Sequence, residues 1–201
     1  MNWGEIQIES LKKMFLNNEE LKVLDLEKYK NDKKYRTYLY AMPLACNEAI
    51  GYILENGRPL IKYQKLKNKS QKKYILPDIL SNFKRLCQIV CDGNPKPNWH
   101  IEGNNVLVID NWPKDGVEIT IYYEAYHDLI KENTSSSYSL ELEPYIAMLI
   151  PLYIAGELYK DDDIQLSTMY MNEFMNQVSN ISGKDFNPNP TEIVDVYGME
   201  W

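Results

Sequence analysis

Residues 143–181 read EPYIAMLIPLYIAGELYKDDDIQLSTMYMNEFMNQVSNI, and this stretch decides the fold. In both halves apolar residues recur at spacings of three and four, which places them on one face of a helix. The first stripe comprises Ile146, Leu149, Leu152, Tyr153, Gly156 and Tyr159, and the second comprises Leu166, Tyr170, Phe174, Val178 and Ile181. Because the connection is short, the two helices are predicted to form an antiparallel hairpin with facing stripes.

Two local features refine this hairpin. The aspartates of Asp161-Asp162-Asp163 supply an N-cap for the second helix, where acidic side chains meet the positive end of the helix dipole. Pro151 lies inside the first apolar stripe, and its ring removes one backbone hydrogen bond and clashes with the preceding turn. We therefore expect a kink or break at Pro151.

The composition limits the class of protein. With 201 residues and 44% hydrophobic content, the chain is long enough to fold around its own core. Its three cysteines, Cys46, Cys87 and Cys91, are an odd number without framework spacing, which favours a reducing compartment. The sequence contains no apolar run of the length that a membrane span needs, and the residues after Met1 do not have the pattern of a signal peptide. We expect a protein without a membrane anchor.

The charge is acidic and uneven. The formal net charge is −7, which argues against a general nucleic-acid binder, since such proteins present a basic face to phosphate. Lys62–Lys73 carries six lysines and no acid, whereas Asp161–Trp201 carries eight acids and one lysine. This asymmetry suggests complementary contacts between copies, although a solvated loop and a solvated tail are the favoured explanation. The 16 tyrosines favour an assembly protein mildly, because tyrosine is enriched at interfaces.

Helices are predicted at the N-terminal end. Asn2 and Glu5 form a capping-box pattern, followed by a helix from about Gly4 to Leu16. Residues 17–33 are predicted to be irregular, with apolar side chains that pin a loop to the core: Leu21, Val23, Leu24 and Leu26. A second helical region is predicted to begin near Lys34. It is predicted to be interrupted at Met42-Pro43, where proline begins a new helix. Gly57 is predicted to end that helix as a cap residue in the left-handed conformation.

The middle of the chain is predicted to be a β-module. Leu60–Tyr63 and Tyr74–Leu76 are predicted to pair as a hairpin around the lysine-rich segment, followed by a turn of helix or a bend at Pro77–Ser81. Further strands are predicted at 83–90, at 117–124 and in a hairpin with strands 99–102 and 106–109. The resulting fold class is α+β: a helical bundle from 1–57 and 131–183, an inserted antiparallel β-module at 58–130, and an extended C-terminal tail at 184–201.

Residues that could carry catalysis or bind metal are sparse. Neither His100 nor His127 has partners at metal-ligand spacing, and Cys87 and Cys91 lack the further ligands of a zinc site, so a packed or solvated role is favoured. The three consecutive aspartates could bind a hard cation, but they lack the pattern of an EF-hand and an N-cap explains them more simply. No phosphate-binding loop or nucleophile motif is present. We expect no enzymatic activity, no metal and no cofactor.

Segments of the helical part resemble the head-to-tail connector (adaptor, ring or gatekeeper-like) proteins of tailed bacteriophages. The resemblance lies in Met1–Ile6, Leu11–Phe15, Tyr38–Pro43, Leu149–Ala155, Leu158–Asp163 and Tyr170–Phe174. It implies a non-enzymatic ring, commonly of twelve subunits, that docks beneath the portal protein and extends the DNA channel toward the tail. Double-stranded DNA would pass through without sequence-specific binding, and the next partner would be a downstream tail or stopper protein. The location implied is the virion head-tail interface, after synthesis in the host bacterial cytoplasm.

The resemblance also gives roles to two groups of residues. Family members reach the portal with their C-terminal segment, which implies portal docking by Ile193, Val196, Tyr197 and Trp201. The residues expected to face the channel lumen or a neighbouring subunit are Tyr159, Lys160, Asp161, Asp162 and Asp163. An acidic channel would repel phosphate and let DNA slide.

Two other functions remain open from the sequence. The β-module could be a carbohydrate- or receptor-binding domain with an aromatic platform of Trp99, Trp112, Tyr122 and Tyr123, although cross-strand or core packing explains most of these residues better. A small cytoplasmic regulatory or toxin-neutralising protein has only the acidic charge in its favour.

Overall fold

The computed structural model describes residues 1–15, 21–67, 73–91, 98–109 and 116–182. The fold is α+β, as predicted. It divides into a helical unit, Met1–Leu60 with His127–Lys184, and a β-rich unit that includes Ile61–Tyr126. The predicted tail, 184–201, lies outside the described residues.

The first helix, α1, spans Trp3–Met14 and begins with the predicted capping box. The Asn2 side chain accepts a hydrogen bond from the Glu5 N–H at 2.9 Å, and the Glu5 carboxylate accepts one from the Asn2 N–H at 2.8 Å. Two of the otherwise unpaired donors at this helix end are thereby satisfied. The inward face of α1, which includes Trp3, Ile6 and Leu11, lies in the core of the helical unit.

Residues 17–33 were predicted to be irregular; residues 17–20 lie outside the described ranges, and the prediction was wrong for most of the remainder. Val23–Asp25 forms a 3₁₀ turn and Leu26–Asn31 forms α2. Leu21 and Leu26 are buried as predicted, but Leu24 is 95% exposed and does not pin the loop. The sequence did not predict α2 because a helix of six residues is too short to show an apolar periodicity. Packing of Leu26 and Tyr29 in the core stabilises it instead.

Helix α3 runs without interruption from Lys33 to Asn56, so the predicted break at Met42-Pro43 was wrong. Pro43 costs one backbone hydrogen bond, but the flanking turns are held in the core by Met42, Pro43 and Cys46, all buried. Gly57 ends the helix as predicted, yet with a φ of −109° rather than a left-handed conformation. A Cβ at Gly57 would lie 2.8 Å from the Ile53 carbonyl oxygen and 3.2 Å from a Val178 methyl group, so close approach is the reason for glycine.

The decisive stretch folds as three helices: α5 (Pro144–Ala147), α6 (Ile150–Leu158) and α7 (Ile164–Ser182). The predicted break is confirmed, since Pro151 lies in the first turn of α6, where its missing N–H costs nothing. α6 and α7 form the predicted hairpin. They approach closely at Gly156, where a Cβ would lie 3.2 Å from the Met171 backbone nitrogen, and the Gly156 carbonyl accepts a 2.6 Å hydrogen bond from the Ser167 hydroxyl.

The β-rich unit contains two antiparallel three-stranded sheets in the part of the chain that is described. One has the order β1-β6-β3, with β1 at Ile61–Lys67, β6 at Glu118–Ala125 and β3 at Phe83–Cys91. The other has the order β2-β5-β4, with β2 at Lys73–Ile75, β5 at Val106–Ile109 and β4 at Trp99–Glu102. Of the two alternatives predicted for Pro77–Ser81, the turn of helix is the one observed, as the short helix α4 at Leu76–Ile79.

One strand pairing differs from the prediction. The β4–β5 hairpin is confirmed, and its turn residues Asn104 and Asn105 adopt positive φ values of 60° and 57°, which asparagine tolerates. The predicted pairing of Leu60–Tyr63 with Tyr74–Leu76 was wrong, because β1 and β2 belong to different sheets. β1 instead pairs along its whole length with β6, where Lys65 forms an ion pair of 2.8 Å with Glu118.

Candidate functional site

The turn that joins α6 to α7 contains all five residues predicted to face a lumen or a subunit interface. The Asp163 side chain caps α7, since its Oδ1 accepts hydrogen bonds of 3.0 Å from the N–H groups of both Gln165 and Leu166. The predicted N-cap is confirmed and assigned to one aspartate of the three. Asp163 is therefore a structural residue.

Asp162 is fixed by a residue 124 positions away in the sequence. The Tyr38 hydroxyl on α3 donates a 2.6 Å hydrogen bond to the Asp162 carboxylate. Burial, followed by this hydrogen bond, raises the pKa of Tyr38 to about 12, so the phenol stays protonated and remains a donor at physiological pH. The acidic turn is thereby anchored to α3.

Tyr159 contributes to an aromatic cluster beneath the turn. Its ring lies 6.0 Å from that of Phe15 in an edge arrangement and 6.3 Å from that of Tyr38, and Phe15 also contacts Tyr35 at 5.1 Å. Edge-to-face pairs add to the stabilisation that burial provides. Tyr159 is half-buried, so it supports the turn from below.

Lys160 and Asp161 form the outer part of the turn, and both are exposed. Lys160 forms an ion pair with Glu157 one turn earlier, and Glu48 on α3 accepts a hydrogen bond of 3.5 Å from the Tyr153 hydroxyl nearby. The pairing with Glu157 raises the pKa of Lys160. Asp162 and Asp163 are exposed as well, but their carboxylates accept the hydrogen bonds described above, from the Tyr38 hydroxyl and from the first turn of α7.

The different roles of the aspartates give a stability prediction. Asp163→Ala removes the cap and is expected to lower the free energy of unfolding by about 1 kcal/mol. Asp161→Ala, the matched control two residues away, is expected to change it by less than about 0.5 kcal/mol. Urea unfolding followed by circular dichroism measures both, and equal effects of the two variants would contradict the assignment of the cap.

A groove of about 630 Å³ near the C-terminal end of α7 was not predicted. Its lining is partly apolar and partly polar. The apolar residues are Met148, Leu149, Leu152 and Ile181, and the polar ones are Lys13, Arg58, Tyr145, Glu173, Gln177 and Asn180. The Arg58 guanidinium forms an ion pair of 3.0 Å with Glu143 and donates a 2.9 Å hydrogen bond to the Tyr145 hydroxyl. Met148 lies at the break between α5 and α6 and is exposed. The apolar periodicity of the sequence does not predict a groove at this position.

The residues predicted for portal docking, Ile193, Val196, Tyr197 and Trp201, lie outside the described residues. The proposed aromatic platform of the β-module is not brought together by the strands that are described. Tyr122 pairs with Tyr63 at 6.0 Å on one face of the sheet, whereas Tyr123 is buried against Phe83 on the other. Trp99 lies on β4 of the second sheet, and Trp112 falls outside the described ranges. Carbohydrate binding stays a prediction.

The environments of the cysteines and of the candidate metal ligands disfavour reactive or metal-binding roles in the part of the chain that is described. Burial raises the pKa of the Cys46 thiol to about 12 and raises that of Cys87, which disfavours the reactive thiolate at both. Within the described ranges, no group of three or more His, Cys, Asp or Glu side chains could hold a metal ion. The helices described there include none long and apolar enough to cross a membrane.

No protein-family model matches the chain, and the search of curated proteins gave no match either.

Proposed function

We propose that the protein is a head-to-tail adaptor of a tailed bacteriophage, a structural virion protein that forms a ring beneath the portal and links capsid to tail. The support comes from where the resembling segments lie. Although they are spread over residues 1–174, Trp3, Met14, Met42, Ile150 and Phe174 all belong to one core cluster. The likeness therefore concerns a single packed bundle rather than scattered short matches.

The acidic turn supports the same proposal through its electrostatics. Lys160 is paired with Glu157, so Asp161 remains as an exposed negative charge that cyclic symmetry would repeat around a ring. Repeated carboxylates on a channel wall repel phosphate and favour passage of DNA over gripping it. The anchor from Tyr38 to Asp162 keeps this turn in a fixed position on the bundle.

Charge reversal tests the position of the turn in the ring. Asp161→Lys is expected to slow DNA ejection and to alter retention of the packaged genome, because each subunit then adds a cation to the channel wall. Glu55→Lys, an exposed reversal on α3, is the matched control and is expected to leave ejection unchanged. The measurement is the kinetics of DNA ejection from assembled particles. Normal ejection by Asp161→Lys particles would show that the turn does not line the channel.

A further inference from the structure

The segment between β6 and α5, residues 127–143, belongs to the helical unit but forms neither a helix nor a strand of a sheet. Irregular segments longer than about 12–15 residues are uncommon in compact domains and usually have a function of their own. Ile130 and Leu140 are buried in the core of the helical unit, whereas the residues around them are largely exposed. Residues 127–143 are called the strap below.

The first attachment of the strap is a side-chain clamp from α3. The Asn47 carboxamide accepts a hydrogen bond of 2.9 Å from the Ile130 N–H and donates one of 2.9 Å to the Ile130 carbonyl. One side chain thereby satisfies both backbone groups of a buried residue, as a neighbouring strand would. An aspartate at position 47 could accept but not donate when ionised, so the clamp requires a carboxamide.

The second attachment joins the strap to the first turn of α1. The N–H groups of Trp3 and Gly4 donate hydrogen bonds of 2.8 Å to the carbonyls of Tyr138 and Ser136, respectively. The first N–H groups of a helix have no partner within that helix, so the strap supplies the acceptors from outside. A Cβ at Gly4 would lie 3.0 Å from the Ser136 Cβ, so glycine allows the strap to approach α1 this closely.

The residues between the two attachments form a local turn. The Thr134 N–H donates a hydrogen bond of 3.0 Å to the Lys131 carbonyl, and the Thr134 hydroxyl accepts one of 2.9 Å from the Lys131 N–H. Lys131, Glu132 and Asn133 are exposed. Segments with few buried apolar contacts open at a lower free energy than the core around them. The strap therefore combines two specific attachments with little buried surface.

We infer that the strap is a conformational device that releases from the helical unit as one piece while α1, α3, α6 and α7 stay folded. Both attachments break together, because a short turn joins them. Release exposes the N–H groups of Trp3 and Gly4 and the part of the core that contains Ile130, so the open form presents a surface that the closed form covers. The inference goes beyond the proposed function and does not depend on it, since it concerns hydrogen bonds within one chain.

Amide hydrogen exchange of the full chain at low urea concentrations tests this release. The N–H groups of Trp3, Gly4 and Ile130 are hydrogen-bonded to the strap or belong to it, so their exchange requires that the strap opens. They are expected to exchange with one common free energy of opening, which is lower than that of the Phe174 amide in the middle of α7. Exchange of all four amides at the free energy of global unfolding would show that the strap does not open separately and would overturn the inference.

A pair of α3 variants tests whether the two attachments open together. Asn47→Ala removes the clamp and is expected to speed exchange of the Trp3 and Gly4 amides about tenfold or more, although the acceptors of these amides lie elsewhere in the strap. Asn56→Ala is the matched control, because the Asn56 side chain is exposed and bonded within its own helix, and it is expected to leave these rates unchanged. Faster exchange at Ile130 alone would mean that the attachments open independently, which contradicts release as one piece.

Discussion

Phe174→Ala is expected to lower the free energy of unfolding by about 3–5 kcal/mol, several times the effect of removing the Asp163 cap from the same helix. The Phe174 side chain is completely buried, and its ring packs 5.1 Å from that of Tyr153 on α6 and 5.6 Å from that of Tyr52 on α3. Truncation removes contacts with two helices at once and leaves a cavity at their junction. Urea unfolding at equilibrium is the measurement.

Met169→Ala is the matched control for this prediction. Met169 lies on the same helix but is 51% exposed, so its truncation is expected to cost less than about 0.5 kcal/mol. If the two variants were equally stable, α7 could not be packed through Phe174 on α3 and α6, and the α6–α7 hairpin would be incorrect.

Removal of residues 184–201 is expected to abolish binding to the portal while leaving the free energy of unfolding of the helical unit unchanged. This segment contains four acids, Asp185, Glu192, Asp195 and Glu200, together with the apolar residues Ile193, Val196, Tyr197 and Trp201. Such a segment can combine apolar contacts with charge attraction to a basic portal groove. The measurement is co-sedimentation of the truncated chain with the portal.

A chain whose tail has the same composition in a scrambled order distinguishes the effect of residue order on portal binding from the effect of charge. If docking depends on the placement of Ile193, Val196, Tyr197 and Trp201, the scrambled chain binds no better than the truncated one. If charge alone is responsible, the scrambled chain binds and its affinity falls steeply with salt. Undiminished portal binding by the truncated chain contradicts docking through the tail.

Features set by short-range interactions were predictable from the sequence. The capping box of Asn2 and Glu5, the break at Pro151 and the β4–β5 hairpin each depend on residues within a few positions of one another. The stripes of α6 and α7 were predictable for the same reason, because helical periodicity is itself a local property. The α+β class followed from these elements.

Features set by distant contacts were not predictable. Pro43 remains inside α3 because buried neighbours hold both flanking turns, and β1 pairs with β6 although more than fifty residues separate them. Propensity and turn patterns carry no information on such pairings, since tertiary packing overrides them.

The candidate site was predictable only in part. An acidic turn between two helices could be recognised, but its division among capping Asp163, anchored Asp162 and exposed Asp161 depends on Tyr38, which the sequence places far away. The groove at Arg58 was missed entirely. Its lining residues come from α1, α5, α6 and α7 together with Arg58, so the groove exists only once these distant segments pack together.

Sedimentation velocity of the full chain, alone and mixed with the portal protein encoded by the same genome, tests the adaptor proposal most directly. The proposal predicts that the mixture contains a fast-sedimenting complex with a fixed ratio of chain to portal, formed by the wild type and lost on removal of residues 184–201. A chain that sediments independently of the portal at every concentration, with its fold intact by circular dichroism, would contradict it.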